Sequence, residues 1–186
     1  MRALVVIGVV IVGCSSSRPP APSATTVVAS NAVVTHIDDG DTIDVRVGAT
    51  TERVRLIGID TPETKKPNTP IQCFGPEASA FMTAFLPIGT AVRLERDVEP
   101  RDPYHRLLAY VYRASDGAFV NVELARGGYA RQLSIAPNTA HARELSAEVD
   151  AARAAGRGLW SECPAFGSPA SPAPSPGSSA LPPGGR

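Results

Sequence analysis

Two short stretches hold residues whose types and spacing could do chemistry. From Arg55 to Thr64 the chain reads RLIGIDTPET, and the acidic turn Asp39-Gly40-Asp41-Thr42 lies a short strand and a hairpin upstream. An apolar strand (Leu56, Ile57, Ile59) ends in Asp60, Thr61, Pro62 and Glu63. The proline fixes φ, so two carboxylates sit on a stiff turn. A hard divalent cation needs several oxygens, at about 2.3–2.6 Å if it is calcium, and Asp41, Asp60 and the Thr61 carbonyl could converge to supply them. Arg55 has little use in a purely structural cation site. Beside a phosphodiester, however, its guanidinium can form a two-pronged fork to the oxygens.

These residues need a scaffold, and the surrounding pattern describes one. Val33–Asp38, Thr42–Val47 and Arg53–Ile59 alternate or run apolar with β-branched residues, punctuated by Gly40 and Gly48, which predicts three consecutive antiparallel strands. The polar stretch Lys65–Phe74 reads as a surface loop, and Pro76 opens a helix whose apolar stripe is Ala80, Phe81, Ala84 and Phe85. Ala91–Glu95 and Leu107–Tyr112 read as two further strands. Val120–Arg126 reads as a short helix stopped by Gly127-Gly128, and a third helix capped by Asn138 or Thr139 runs to about Ala155. Five strands and three helices predict a small mainly-β barrel of α+β class.

The ends of the chain differ in character from this unit. Met1-Arg2, an apolar run from Ala3 to Val12 and Gly13-Cys14 have the layout of an export signal, too short as a helix to span a bilayer. Ile11-Val12-Gly13-Cys14 also resembles a bacterial lipobox, in which Cys14 carries the lipid and anchors an exported protein to a cell-envelope membrane, with later release outside the cell also open; a plain signal peptide is the other reading. The expected organisation is therefore a signal over residues 1–13, a Pro/Ser-rich disordered tether over 14–31, the folded domain over 32–163, and a Pro/Ser/Gly-rich disordered tail over 164–186. With Cys14 assigned to lipid, Cys73 and Cys163 remain as an even pair. A disulfide suits an exported chain, and two unpaired buried thiols are the alternative. Residues 32–163 contain all 18 acidic residues and all of the 18 basic ones except Arg2, Arg18 and Arg186, a net charge of −3. The broad basic footprint of a tight, sequence-indifferent nucleic-acid binder is therefore absent, and any affinity for phosphates must be local.

Several ordered motifs carry a resemblance: DGDT at Asp39–Thr42, RLIGIDTPET at Arg55–Thr64, FGPEASAF at Phe74–Phe81, DPYHRLLAYVY at Asp102–Tyr112, VNVELARGGYA at Val120–Ala130 and GLW at Gly158–Trp160. Through them the stretch from Val33 to Trp160 resembles the staphylococcal nuclease (thermonuclease) family. The resemblance implies an OB-fold, a five-stranded barrel with three helices. It implies a monomeric, Ca2+-dependent nuclease acting on DNA and RNA, preferably single-stranded or frayed, and leaving 3′-phosphates. Position by position, it implies calcium ligands at Asp41, Asp60 and the Thr61 carbonyl. Glu63 would orient or deprotonate the attacking water, Arg55 and Arg106 would bind the phosphate, and Tyr104 would lie at the nucleotide phosphate.

Departures from the pattern are informative. Where relatives carry Gly between that tyrosine and arginine, this chain has His105, which matters if the backbone there needs φ > 0. Gln132-Leu133-Ser134-Ile135 stands where the family supplies tyrosines on which a base can stack. Other residues have plainer readings. Asp39, Asp41 and Asp60 could be turn and cap residues, since Asp-Gly is a common hairpin signal. Arg53 reads as solvated or ion-paired, His36 and His141 as surface residues, and Tyr110, Tyr112 and Trp160 as packing. The competing functional reading is a non-catalytic OB-fold envelope lipoprotein that binds nucleic acid or another partner.

Overall fold

Alternation of inward apolar and outward polar side chains decides which residues reach the site. The computed structural model describes residues 29–166, 168 and 170. Strands β1 (Ala32–Ile37), β2 (Thr42–Val47) and β3 (Thr50–Leu56) form an antiparallel meander. Ile43 and Val45 of β2 and Val54 and Leu56 of β3 are buried inside it, while Asp44, Arg53 and Arg55 lie on the opposite face, as a two-residue period requires. In this register Asp44 faces Arg53 and Thr42 faces Arg55. Arg53 is ion-paired there, 2.8 Å from Asp44 and 3.5 Å from Asp38.

After helix α1 (Gly75–Phe85), strands β5 (Ala91–Glu95) and β6 (Leu107–Arg113) close the barrel in the order β1-β2-β3-β6-β5. The fold is thus the five-stranded α+β barrel of OB type. Closure depends on β6 running parallel to β3, with Val54 beside Leu107 and Arg55 beside Leu108. Parallel pairing needs a long crossover, which α1 and β5 provide. Its consequence is positional: Arg106, the residue just before β6, is delivered to the strand that carries Arg55.

Three expectations need correction. The third strand is not continuous over Arg53–Ile59 but breaks at Ile57, and β4 (Gly58–Asp60) leaves the barrel to pair with β7 (Arg131–Leu133). Gly58 permits the break: its φ is 83°, and an added Cβ would collide with the Leu145 side chain. The third long helix, α3 (Ala142–Ala154), begins after His141 and is not capped by Asn138 or Thr139. Asn138 is instead buried, bonding the Glu99 N–H at 2.7 Å and the Glu99 carbonyl at 2.9 Å. Besides α1, α2 (Val120–Arg126) and α3 there is a fourth short helix, α4 (Leu159–Glu162).

Buried Asn121 on α2 joins the layers. Its side chain accepts from the Val111 N–H at 3.0 Å and donates to the Ile57 carbonyl at 2.8 Å, which satisfies the backbone where β3 gives way to β4. Cys73 and Cys163, 90 residues apart, are joined by a disulfide that ties the start of α1 to the end of α4. Among the described residues no helix is long and apolar enough to cross a membrane. The signal, the tether with Cys14 up to residue 28, and residues 167, 169 and 171–186 of the tail lie outside the described residues.

Candidate active site

The DGDT turn and the end of β4 meet because Gly40 lets them. A Cβ on Gly40 would lie 2.8 Å from Thr61 Oγ1 and 2.9 Å from Ala78 Cβ, closer than real side chains pack. The close approach lets the Thr61 N–H donate to Asp41 Oδ2 at 2.9 Å, while Thr42 Oγ1 donates to Asp41 Oδ1 at 3.1 Å. Asp41 is only 5% exposed. Burial pushes its carboxyl pKa above the ordinary carboxylate value, and Arg55 and the Thr61 N–H only partly offset that. Asp39 is pushed up to about 6, by burial first and then by the charges of Asp41 and Glu63.

Arg55 lies between the two turns. Its Nη2 is 3.1 Å from Asp41 Oδ2 and 3.1 Å from Asp60 Oδ1, and its Nη1 donates to the carbonyls of Leu56 and Ile59. Arg106 is braced separately, its Nε 2.7 Å from Asp102 Oδ2 and its backbone N–H on Asp102 Oδ1 at 2.9 Å. The two arginines line one cavity of about 200 Å³, walled by Pro103, Leu108, Leu133 and Ile135. Tyr104 does not line the cavity; it follows Pro103 in the chain and is 79% exposed, with the Arg106 guanidinium 5.5 Å from its ring centre.

Glu63 is held by the loop it opens. Its Oε1 accepts the N–H groups of Thr64 and Lys65 at 2.8 Å each and that of Lys66 at 3.1 Å, and among the described residues no donor reaches Oε2. One oxygen therefore fixes the carboxylate and the other is open to a water. His105 adopts φ 64°, so this loop keeps the left-handed turn despite the side chain. Asp41 and Asp60 thus meet at Arg55, Arg106 shares a cavity with Arg55 that those two carboxylates do not line, and Glu63 is close enough to Asp39 to raise its pKa.

Four residues here carry no role in the sequence reading: Asp39, which feels both Asp41 and Glu63, Asp102, which holds Arg106, Gln72, whose Oε1 takes the Glu63 N–H at 2.7 Å, and Arg131, whose Nε and Nη2 both reach Asp60 Oδ2 at 3.0 Å. Only Asp39 and Asp102 leave a trace in sequence, inside the DGDT and DPYHR motifs.

The donor set suits a hard cation: two carboxylates and a carbonyl, all oxygen. No hydrogen bond reaches the Thr61 carbonyl among the described residues. A group of three His, Cys, Asp or Glu side chains placed for a metal is also absent among them, so the carbonyl and water must complete any coordination.

A family model described as "Staphylococcal nuclease homologue" matches residues 53–162. The chain belongs to the staphylococcal nuclease family. Within that family's reach, a thermonuclease of Staphylococcus intermedius is 47% identical over 116 residues, covering 62% of this chain and 67% of the relative. A thermonuclease of Staphylococcus hyicus is 39% identical over 128 residues, 69% of this chain and 74% of the relative. The endonuclease YncB of Bacillus subtilis (strain 168) is 38% identical over 126 residues, 67% of this chain and 58% of the relative. The family match takes in Arg55, Asp60, Thr61, Glu63 and Arg106, while the DGDT turn lies before it.

Proposed function

We propose that this member of the staphylococcal nuclease family is a Ca2+-dependent nuclease that hydrolyses DNA and RNA with little sequence preference, as a lipid-anchored protein of the cell envelope. Nuclease activity is what the thermonuclease and endonuclease relatives have in common by name. One observation carries the finer reading: Arg55 and Arg106 line a single cavity, and the Arg55 guanidinium touches both carboxylates of the candidate cation site.

Asp41, Asp60 and the Thr61 carbonyl would hold the calcium. When bound, it would supply positive charge beside a phosphate oxygen. Arg55 and Arg106 bind the phosphodiester and offset the charge that accumulates as the fifth oxygen approaches phosphorus. Glu63, anchored through Oε1, uses Oε2 to aim a water at phosphorus and accept its proton. The aliphatic wall of Leu133 and Ile135 offers a base contact without a stacking plane, in keeping with weak base preference.

Cleavage of single-stranded DNA by the purified protein, with calcium, with EGTA and as Glu63→Gln, tests the reading. Cleavage should need calcium, and Glu63→Gln should lower kcat about 10²–10⁴-fold, the range of a positioned general base. Equal rates with calcium and EGTA would turn the reading to a binding module.

A further inference from the structure

The carboxylates Asp60 and Glu63 each have one residue behind them, and both of those residues lead to the same place. Behind Glu63 is Gln72, which accepts the Glu63 N–H at 2.7 Å and donates its own N–H to the Glu63 carbonyl at 2.9 Å. The loop between them is polar and mostly exposed, with few buried contacts to hold its shape. Its far end is tied to the residues after α4. Cys73 is disulfide-bonded to Cys163, the Cys73 N–H donates to the Ser168 carbonyl at 2.7 Å, and the Ala170 N–H donates to the Ile71 carbonyl at 2.8 Å. Gln72 is thus flanked on both sides by tied residues.

Behind Asp60 is Arg131, a long side chain that is 45% exposed and would ordinarily sample many rotamers. Its guanidinium is covered on one face by the Phe166 ring, 4.1 Å away, while Nε and Nη2 point at Asp60 Oδ2. A cation against an aromatic face loses freedom without losing its edge-on donors.

We infer that Phe166, Ser168 and Ala170 form a strap, fastened by the Cys73–Cys163 disulfide, that sets the two positioning residues of the site, Gln72 behind Glu63 and Arg131 behind Asp60. The inference rests on the nuclease reading. It also makes site geometry depend on the oxidised state of a bond that lies outside the carboxylate cluster itself.

The test compares four forms of the full chain: wild type, the double variant Phe166→Ala/Ala170→Pro, Phe166→Tyr, and Cys73→Ala/Cys163→Ala. Ala170→Pro removes the N–H that bonds Ile71 and leaves the disulfide in place. Terbium luminescence reads cation affinity, single-stranded DNA turnover at saturating calcium reads kcat and KM, and amide exchange reads the loop over residues 63–73. The double variant and the cysteine variant should bind terbium about tenfold more weakly and lose about tenfold in kcat at unchanged KM, the scale of second-layer changes at metal sites. Loop exchange should rise, and Phe166→Tyr should behave as wild type. Terbium affinity and kcat within about twofold of wild type in the double variant would overturn the strap and leave the nuclease reading standing. A wild type that neither binds terbium nor cuts DNA would overturn both.

Discussion

Arg55 already makes more contacts than a phosphate fork can spare. Nη1 is committed to two carbonyls and Nη2 to two carboxylates, so a phosphate gains Nη2 only if something else satisfies Asp41 and Asp60. A divalent cation on those carboxylates does this, which couples the two ligands. An oligonucleotide should therefore bind the Glu63→Gln protein about 10–100-fold more tightly with calcium than with EGTA, the worth of one charge-assisted hydrogen bond regained. Fluorescence anisotropy with a labelled oligonucleotide checks this, and by reciprocity the oligonucleotide should tighten calcium binding by the same factor. His105 makes a separate case. Its left-handed φ of 64° is disfavoured for a residue with a Cβ. His105→Gly should raise stability by up to about 1 kcal/mol in urea unfolding, the relief of that strain less the added freedom of glycine in the unfolded chain. At this scale the sequence reveals the residues whose partners lie in neighbouring motifs, such as Asp41, Asp60 and Arg55. Arg131 was illegible because its partner Asp60 lies 71 residues away and β7, only three residues long, shows no alternation.

Elements were legible where periodicity ran long enough. The strands of the meander and α1 announce themselves through alternation and an apolar stripe. The break at Ile57 does not, because Leu56, Ile57 and Ile59 look like one apolar run whether they fill one strand or two. What distinguishes the cases is Asn121, a polar residue that is fully buried because it bonds the backbone at the break. Asn121→Leu should cost about 1–3 kcal/mol, since it leaves the Val111 N–H and the Ile57 carbonyl buried without partners. Urea unfolding measures it, and a cost under about 0.5 kcal/mol would contradict the account.

The start of α3 was also misread, and for a related reason. His141 is half-buried rather than a free surface residue, packing edge-on against Tyr110 at 4.5 Å and Phe119 at 4.9 Å, with Nδ1 3.0 Å from Glu144 and Nε2 3.2 Å from Glu95. Burial would lower its pKa, but hydrogen bonds to Glu144 and Glu95 outweigh that and raise it; Tyr112, Arg93 beside Glu95, and the Tyr110 hydroxyl with its partner Asp97 are further polar groups nearby. A raised folded-state pKa means the protonated ring stabilises the fold fully below the unfolded value near 6.5, and that contribution is lost as pH rises through the folded value. His141→Gln should therefore cost more stability at pH 5.5 than at pH 8.5. Thermal unfolding of both proteins at the two pH values reads the difference, and equal costs would show that the imidazolium contributes nothing.

For the whole molecule, a net charge of −3 over residues 32–163 says little about where the charge sits. Folding concentrates it. Asp38, Asp39, Asp41, Asp60 and Glu63 come from two segments to one end of the barrel; Arg53 and Lys65 answer Asp38, and Arg55 and Arg131 answer Asp41 and Asp60, which leaves Asp39 and Glu63 without a basic partner among the described residues. Such crowding of like charge opposes the folded state and is relieved by a bound cation, so calcium should act on stability as well as chemistry. Binding to the folded state alone adds about 2.7 kcal/mol when free calcium is a hundred times its dissociation constant. For a domain of this size that corresponds to a rise of several degrees in thermal midpoint. Asp41→Asn should reverse the balance: with less like charge it should be as stable as wild type or more so in EGTA, yet gain little from calcium. Differential scanning fluorimetry of both proteins across a calcium titration, with magnesium as a control for screening, decides it. A wild-type midpoint that responds equally to the two metals at matched ionic strength would mean that the acidic end of the barrel selects no ion and that calcium acts only as salt.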